Sequence, residues 1–294
     1  MGSIPNNLLG AVGRIVVEED TIVPAPVAGL MAAFGSDDPD VRLGDPLPPL
    51  WHGLFCTAKL PPSRLGADGL AKDEGLLPAA SDFPNKLFGG ARFDFRSSLR
   101  IGEKIRKESE VISFNLKEGR SGIFIVGLVQ HRIYNDAGLA VIEENDTIFS
   151  PSSKETTDKF SRKEASSLPR ATSTRVVAPD PVLMFRHSAV TYNSHRIHYD
   201  RDYAVEKGYP GLLVQGMLIA RLMLNMLEAN APNFGVGSFS FRSDKPIYDN
   251  GHFTLGLTVG ETFAEFWAAD CRDLICMTAR ANKEGFATKV NFLS

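Results

Sequence analysis

Apolar positions in this chain recur at two spacings, and each half of the sequence presents them in the same order. Pro24 to Phe34 (Pro-Ala-Pro-Val-Ala-Gly-Leu-Met-Ala-Ala-Phe) is opened by proline and stopped at Gly35, which predicts a short helix. Gly44 to Gly66 is irregular and dense in proline, with Trp51 and Phe55 as aromatic anchors, and Asp68 to Ser81 reads as an exposed loop. Alternation at period two then begins with Arg92-Phe93-Asp94-Phe95-Arg96, as expected of a half-buried strand. Lys104 to Leu116 continues it through Ile105, Val111, Ile112 and Phe114. Gly119-Arg120-Ser121-Gly122 turns the chain back into Ile123 to Val129, apolar enough to be covered on both faces. Asn135-Asp136-Ala137-Gly138 turns it again into Leu139-Ala140-Val141-Ile142. The first half is therefore a helix followed by an antiparallel meander.

Between Ser150 and Asp180 the periodicity disappears, and Ser, Thr, Lys and Pro dominate a predicted surface linker. A polar loop follows from Arg186. Asp200 and Asp202 suit the cap and first turn of a short helix, and Gly208, Pro210 and Gly211 then break the chain. Gly216 introduces the run Met217 to Leu227, which is nearly apolar on all sides and predicts a buried helix. Strands return at Val236–Phe241, Phe253–Val259, Phe263–Cys271 and Leu274–Ala281. No aligned repeat is visible, yet the shared order suggests one architecture used twice. The pattern by itself specifies an α+β chain with two antiparallel sheets, divided into residues 1–150, a linker over 151–180, and residues 181–294.

Composition narrows the function by exclusion. A net charge of −3 leaves no electrostatic footprint for nucleic acid or an anionic membrane. No apolar stretch approaches the roughly 20 residues of a membrane span. Cys56, Cys271 and Cys276 cannot all pair and lack zinc-ligand spacing, which suits a reducing compartment. The first twenty residues hold one arginine and end in Glu18-Glu19-Asp20, against a secretory or transit leader, so cytosol is expected ahead of mitochondria.

The chemistry concentrates at Asn193, Ser194, His195 and His198, a polar loop delivered beside the start of the buried helix. A helix start offers free N–H groups and a positive dipole end, suited to a developing oxyanion. His195, His198 and Asp200 could close on a metal, but no further Cys/His pair stands close in sequence, and no metal or cofactor is expected. Arg186 and His187 read as a strand-end basic pair, facing either solvent or a substrate phosphate. Trp51 and Phe88 are either core or acyl-pocket aromatics. Gly89-Gly90 marks a tight turn or a close backbone approach. His52 and His131 stand alone, so the first half is expected to lack a working site.

Asn-Ser-His-Arg-Ile-His-Tyr-Asp at 193–200, followed by Gly-Tyr-Pro-Gly-Leu-Leu-Val-Gln-Gly at 208–216, resembles the active-site segment of MaoC-like, type-2 hydroxyacyl-thioester dehydratases. Within them it is most like the mesaconyl-CoA hydratase and fungal mitochondrial subgroup. Leu43 to His52, Gly89 to Arg92, Gly119 to Gly122 and Trp267 to Asp270 also read like that subgroup, so the resemblance covers nearly the whole chain. It implies a double hotdog, two antiparallel sheets each wrapped around a central helix, and pairing as an internal pseudo-dimer of the two halves or as a homodimer. The family pattern Asp-x-Asn-Pro-Leu-His places His198 at the catalytic histidine, His195 at the asparagine and Asn193 at the catalytic aspartate. Gly216 matches the glycine whose N–H binds the thioester oxygen. Tyr192, His195, Gln215, Trp51 and Phe88 are assigned to substrate binding.

The implied activity is reversible dehydration or hydration of a β-hydroxyacyl or enoyl thioester carried by CoA or a carrier protein. With an amide at position 193, His198 would carry the proton transfer, with an activity limb near the ordinary histidine pKa of roughly 6.5 before environmental shifts. An isomerase or cyclase acting on a specialised intermediate, and a non-catalytic acyl-thioester-binding protein, are the alternatives.

Overall fold

The computed structural model describes residues 3–72, 76–119, 122–151 and 167–285. Arg120 and Ser121 of the predicted turn, and residues 152–166 of the predicted linker, lie outside them. The described elements are α1 (Asn6–Leu9), β1 (Ile15–Thr21), α2 (Pro24–Ala33), β2 (Asn85–Phe95), β3 (Lys104–Gly119), β4 (Gly122–Asn135), β5 (Gly138–Ser150) and β6 (Ser173–Val177). They continue with α3 (Pro181–Val190), α4 (Arg201–Glu206), α5 (Gly216–Asn230), β7 (Val236–Ser243), β8 (Phe253–Val259), β9 (Phe263–Ala269) and β10 (Ile275–Lys283).

The strands form one antiparallel sheet in the order β1-β3-β4-β5-β2-β7-β10-β9-β8-β6. The two expected sheets are thus fused edge to edge, β2 of the first half pairing with β7 of the second from Gly90↔Arg242 to Asp94↔Ser238. Gly90 makes the seam possible, because a Cβ there would lie 2.5 Å from the Phe241 carbonyl oxygen. A bulge between Phe88 and Gly90 accompanies it, so the glycine pair serves close approach. Phe93 meets Phe239 and Phe241 across the seam, with ring centroids 6.4 and 6.5 Å apart, tilted to the first and stacked on the second. They carry one apolar core from half to half.

Helix α5 is the axis of the second half. Leu218, Met223 and Leu227 are buried with most of their neighbours, and the helix packs against β8 and β9. From Leu218 to Leu227 only Asn225 is exposed, and a helix segment so nearly apolar is stable only where it is covered, which the curved sheet provides. The shorter α2 opens with Pro24 at its first position and organises a separate core with Trp51, Leu54, Ile105 and Ile133.

Three readings of the sequence are corrected. Arg186 and His187 belong to α3, capped by the Asp180 carboxylate on the N–H groups of Val182 and Leu183, and not to a strand end or a loop. Within the predicted linker, Ser173–Val177 form β6, which pairs with β8. His52 and His131 do not stand alone. His52 Nε2 lies 2.9 Å from a Glu143 carboxylate oxygen, His131 sits opposite Glu143 in the β4/β5 register, and its Nδ1 is 2.7 Å from Ser109 Oγ. Burial would raise the Glu143 carboxyl, but the His52 bond and the neighbouring histidines hold it down at about 2.

Candidate active site

The loop after α3 is built by local hydrogen bonds. Thr191 Oγ1 donates to the His187 carbonyl at 2.7 Å, and Tyr192 turns the chain with φ of 54°. That left-handed conformation is unusual for a side chain other than Gly or Asn, and costs of order 1 kcal/mol that the surrounding bonds must offset. The Asn193 N–H returns to the Ser188 carbonyl at 2.8 Å, while Asn193 Oδ1 accepts from the His195 N–H at 3.1 Å. The Asn193 oxygen is therefore engaged in shaping the turn, leaving its amide N–H groups for other work.

The first half clamps this turn in place. Ser194 Oγ donates to the Gly69 carbonyl at 2.6 Å, the Arg196 N–H to Asp68 at 2.8 Å, and Arg196 Nη1 to Ala67 at 2.9 Å. Asp200 caps α4 through the Tyr203 N–H and pairs with the Arg196 guanidinium at 2.8 Å. Its carboxylate is thereby committed to the helix start, which removes it from the His195, His198 and Asp200 trio considered as metal ligands.

A single turn of 3-10 helix, Arg196–His198, then presents His198 inward. His198 Nδ1 is 2.7 Å from the Leu213 carbonyl, and the Leu213 N–H returns to Ile197 at 2.9 Å. A carbonyl can only accept, so the proton resides on Nδ1 and Nε2 keeps its lone pair. Burial draws the imidazole down to about 4 against the opposing effect of that carbonyl, with His195 pushing the same way as burial. The His195 ring stands 5.4 Å from that of His198, edge to face, and its pKa is also lowered by burial. At neutral pH both rings are uncharged.

Gly216 is the first residue of α5, and Gln215 ahead of it provides no side-chain cap for the exposed N–H groups. Phe88 from the first half stands beside this position: a Cβ built on Gly216 would lie 3.7 Å from the Phe88 ring, 3.6 Å from Met277 Cε and 3.7 Å from Ser243 Oγ. Gln215 is turned away from the cap. Its Nε2 donates to the Met184 carbonyl at 3.0 Å and to Ser188 Oγ at 2.8 Å, tying the start of α5 to α3.

Not every assigned residue converges here. Tyr192 is 56 % exposed at the rim. Trp51 lines a different cavity of about 640 Å³, with Met31, Phe34, His52, Leu224 and Phe234 around it. Leu224 is eight residues beyond Gly216, or about 12 Å along the helix. Sequence reasoning missed Arg221, a fully buried guanidinium on α5 that bonds His187. The available signal was one arginine inside a run otherwise apolar from Met217 to Leu224.

The chain matches the family model for hydroxyacyl-thioester dehydratase type 2 over residues 50–249. It is 37% identical over 255 residues to the mesaconyl-C(4)-CoA hydratase of Chloroflexus aurantiacus, covering 83% of this chain and 86% of that one. It is 26% identical over 288 residues to the mitochondrial hydroxyacyl-thioester dehydratase type 2 of Schizosaccharomyces pombe, covering 84% of this chain and 90% of the relative. Among solved structures, a Mycobacterium tuberculosis protein described as having a double hotdog fold superposes with a TM-score of 0.56. That likeness, at 14% identity over 92% of this chain and 96% of the other, bears on the fold. The family model spans more than half of the chain and a relative 37% identical covers 83% of it, so the chain belongs to the hydroxyacyl-thioester dehydratase type 2 family.

Proposed function

We propose that this hydro-lyase adds water to, and eliminates it from, the α,β-carbons of a CoA-linked acyl thioester at the loop between α3 and α5. In the hydration direction, His198 Nε2 takes a proton from water as the oxygen bonds to the β-carbon. The π electrons move toward the thioester carbonyl, whose oxygen gains negative charge opposite the Gly216 N–H and the positive end of α5. His198, now protonated, returns its proton to the α-carbon, and the enolate collapses to the β-hydroxyacyl thioester. Elimination is the reverse, so one imidazole serves as base and acid in turn. Asn193 orients the hydroxyl or water through its amide, since an amide cannot take a proton at physiological pH. Phe88 and His195 form the wall against the reacting carbons, with Tyr192 at the entrance.

The observation that carries this reading is the Leu213 carbonyl on His198 Nδ1, which leaves Nε2 as a neutral base and ties the ring to the segment that runs into the uncapped start of α5. From the first half, Phe88 stands beside Gly216 and residues 67–69 clamp the histidine loop, so the first half acts as a partner surface for one site. The test is hydration of an enoyl-CoA followed as loss of enone absorbance. His198→Ala is expected to lower turnover about a hundred- to ten-thousand-fold with the fold retained. Unchanged turnover in that variant would remove His198 from the reaction.

A further inference from the structure

The cavity of about 640 Å³ that Trp51 lines lies at the seam between the halves, and the hydration chemistry does not use it. It stands at the far end of the β2/β7 pairing from the active site. Past Gly90↔Arg242, Phe88 and Ser243 stand beside Gly216; past Asp94↔Ser238, Phe95, Arg96 and Val236 line the cavity. Helix α2 runs into it with Met31 and Phe34, as α3 runs into the histidine loop. Along α5 the two spaces are separate. Gly216 and Met217 are partly exposed, no residue from Leu218 to Met223 is more than 3% exposed, and accessible surface returns at Leu224 and Asn225. The Arg221 guanidinium packs this interval, donating to the Leu50 carbonyl of the first half at 3.1 Å and to His187 Nε2 at 2.8 Å.

The walls are aromatic and aliphatic. Phe34 and Trp51 meet edge to face with ring centroids 6.0 Å apart, and Leu224, Leu227 and Phe234 close the floor. One buried polar side chain stands among them. His52 is 6% exposed, and its Nε2 lies 2.9 Å from a Glu143 carboxylate oxygen. That carboxyl, held down at about 2, is ionised and only accepts, so the proton of the bond sits on Nε2. Among the described residues His52 Nδ1 has no hydrogen-bond partner. In the neutral imidazole this nitrogen can only accept, so the wall asks for a donor from outside. The rim selects against charge of one sign. Glu228 and Glu284 stand there exposed, and the Arg96 guanidinium is already paired with Asp94 at 3.1 Å. A carboxylate, or the phosphates of an acyl-CoA, would meet like charge at this mouth, whereas an uncharged molecule would not.

We propose that this cavity is a second ligand site, distinct from the acyl site, which takes an uncharged phenol of two or more rings with its hydroxyl donating to His52 Nδ1. The volume lies within the range of about 300–1,000 Å³ typical of small-molecule pockets, which are mostly apolar with a few polar groups that fix orientation. Phe34, Trp51 and Phe234 offer ring faces and edges against which an aromatic body packs better than a flexible chain. A phenolic O–H supplies the donor that Nδ1 lacks, and Glu143, by holding Nε2–H, fixes the ring so that Nδ1 presents its lone pair. A ligand without that donor would cover a buried acceptor and leave it unmet.

The experiment titrates the full chain by calorimetry with 2-naphthol and with 2-methoxynaphthalene, which keeps the rings and loses the donor. The wild-type protein is expected to bind one 2-naphthol per chain, and the ether at least about fivefold more weakly. In His52→Gln the side-chain amide nitrogen can still donate to Glu143 but the Nδ1 acceptor is gone, so 2-naphthol should weaken about fivefold while the ether hardly changes. Enoyl-CoA hydration reports where the ligand sits: saturating 2-naphthol should leave the apparent KM for the thioester within about twofold of its value without ligand. No binding of 2-naphthol, equal wild-type affinity for the two compounds, or unchanged 2-naphthol affinity in a folded His52→Gln would each overturn the inference. So would a KM that climbs in proportion to 2-naphthol, since that places the phenol in the acyl site, and the hydratase reading would stand in all four cases. If His52→Gln does not fold, the two ligands and the competition on the wild-type protein decide by themselves.

Discussion

Gly216→Ala separates the demands of the fold from those of the reaction. Gly216 lies in the first turn of α5 and is not among the residues with positive φ, so alanine can adopt its backbone. The added Cβ would meet Met277, Phe88 and Ser243 at 3.6 to 3.7 Å, ordinary van der Waals distances that require no neighbour to move. Alanine is favoured over glycine inside a helix by about 0.5–1 kcal/mol, and somewhat less in the first turn. The variant should therefore melt at the wild-type temperature or about 1–3 °C above it. Catalysis has the opposite interest. A thioester oxygen must come within about 2.7–3.1 Å of the Gly216 nitrogen, and a methyl group beside that nitrogen stands in its approach. Losing one such donor costs about a hundred- to a thousand-fold in rate, or about 3–4 kcal/mol. The assay pairs a melting curve with initial rates of enoyl-CoA hydration. A stable variant with kcat/KM within about threefold of wild type would show that the oxygen does not come to this N–H. A fall of more than about 5 °C would instead mean that the glycine is required for packing.

Three further outcomes follow from the charges. With His198 held at about 4 by burial, kcat/KM should rise through that pH and stay flat across neutrality, not rise near 6.5 as the bare residue suggests; a limb at 6.5 would mean the ring is solvated in the free enzyme. Asn193→Asp keeps the oxygen that accepts from the His195 N–H, so the turn should persist, while the added carboxylate should move the acid limb of activity upward by favouring protonated His198; an unmoved limb with normal folding would place Asn193 away from the base. Because His198 titrates at about 4 when folded and at the usual 6.5 when unfolded, the unfolded chain binds more protons between these values, and stability falls as pH drops through that window. At 1.36 kcal/mol per unit this residue contributes about 3 kcal/mol, with buried His187 adding to it in the same direction, and a denaturant midpoint unchanged from pH 7 to pH 5 would contradict both shifts.

Much of the second half was legible because its signals are local. The onset of α5 at Gly216, the cap at Asp200, and the strands over Val236–Ser243 and Phe253–Val259 are written in residue period and in glycine and aspartate placement. The histidine loop was legible for the same reason, as Asn193 and His198 lie within six positions of one another. β1 and β6 were not, since each is a short strand defined by its partner, β3 or β8. α3 carried a visible Asp180-Pro181 start, yet its mixed face of Met184, Arg186 and His187 imitates a loop until Gln215 and Arg221 are packed against it.

The amino-acid order by itself determined the helix-then-meander plan of each half, the resemblance to the thioester dehydratases, and the residues around which the chemistry gathers. Tertiary structure decided the rest, since each remaining feature is an encounter between segments far apart in the chain. The fusion of two sheets into one depends on Gly90 meeting Phe241, and the tautomer of His198 on the Leu213 carbonyl. The placement of Trp51 in a cavity away from Gly216 and the joining of Arg221 to His187 and Leu50 are of the same kind. Period and propensity act over a few residues, whereas burial, charge compensation and hydrogen-bond satisfaction are settled only where the chain closes on itself.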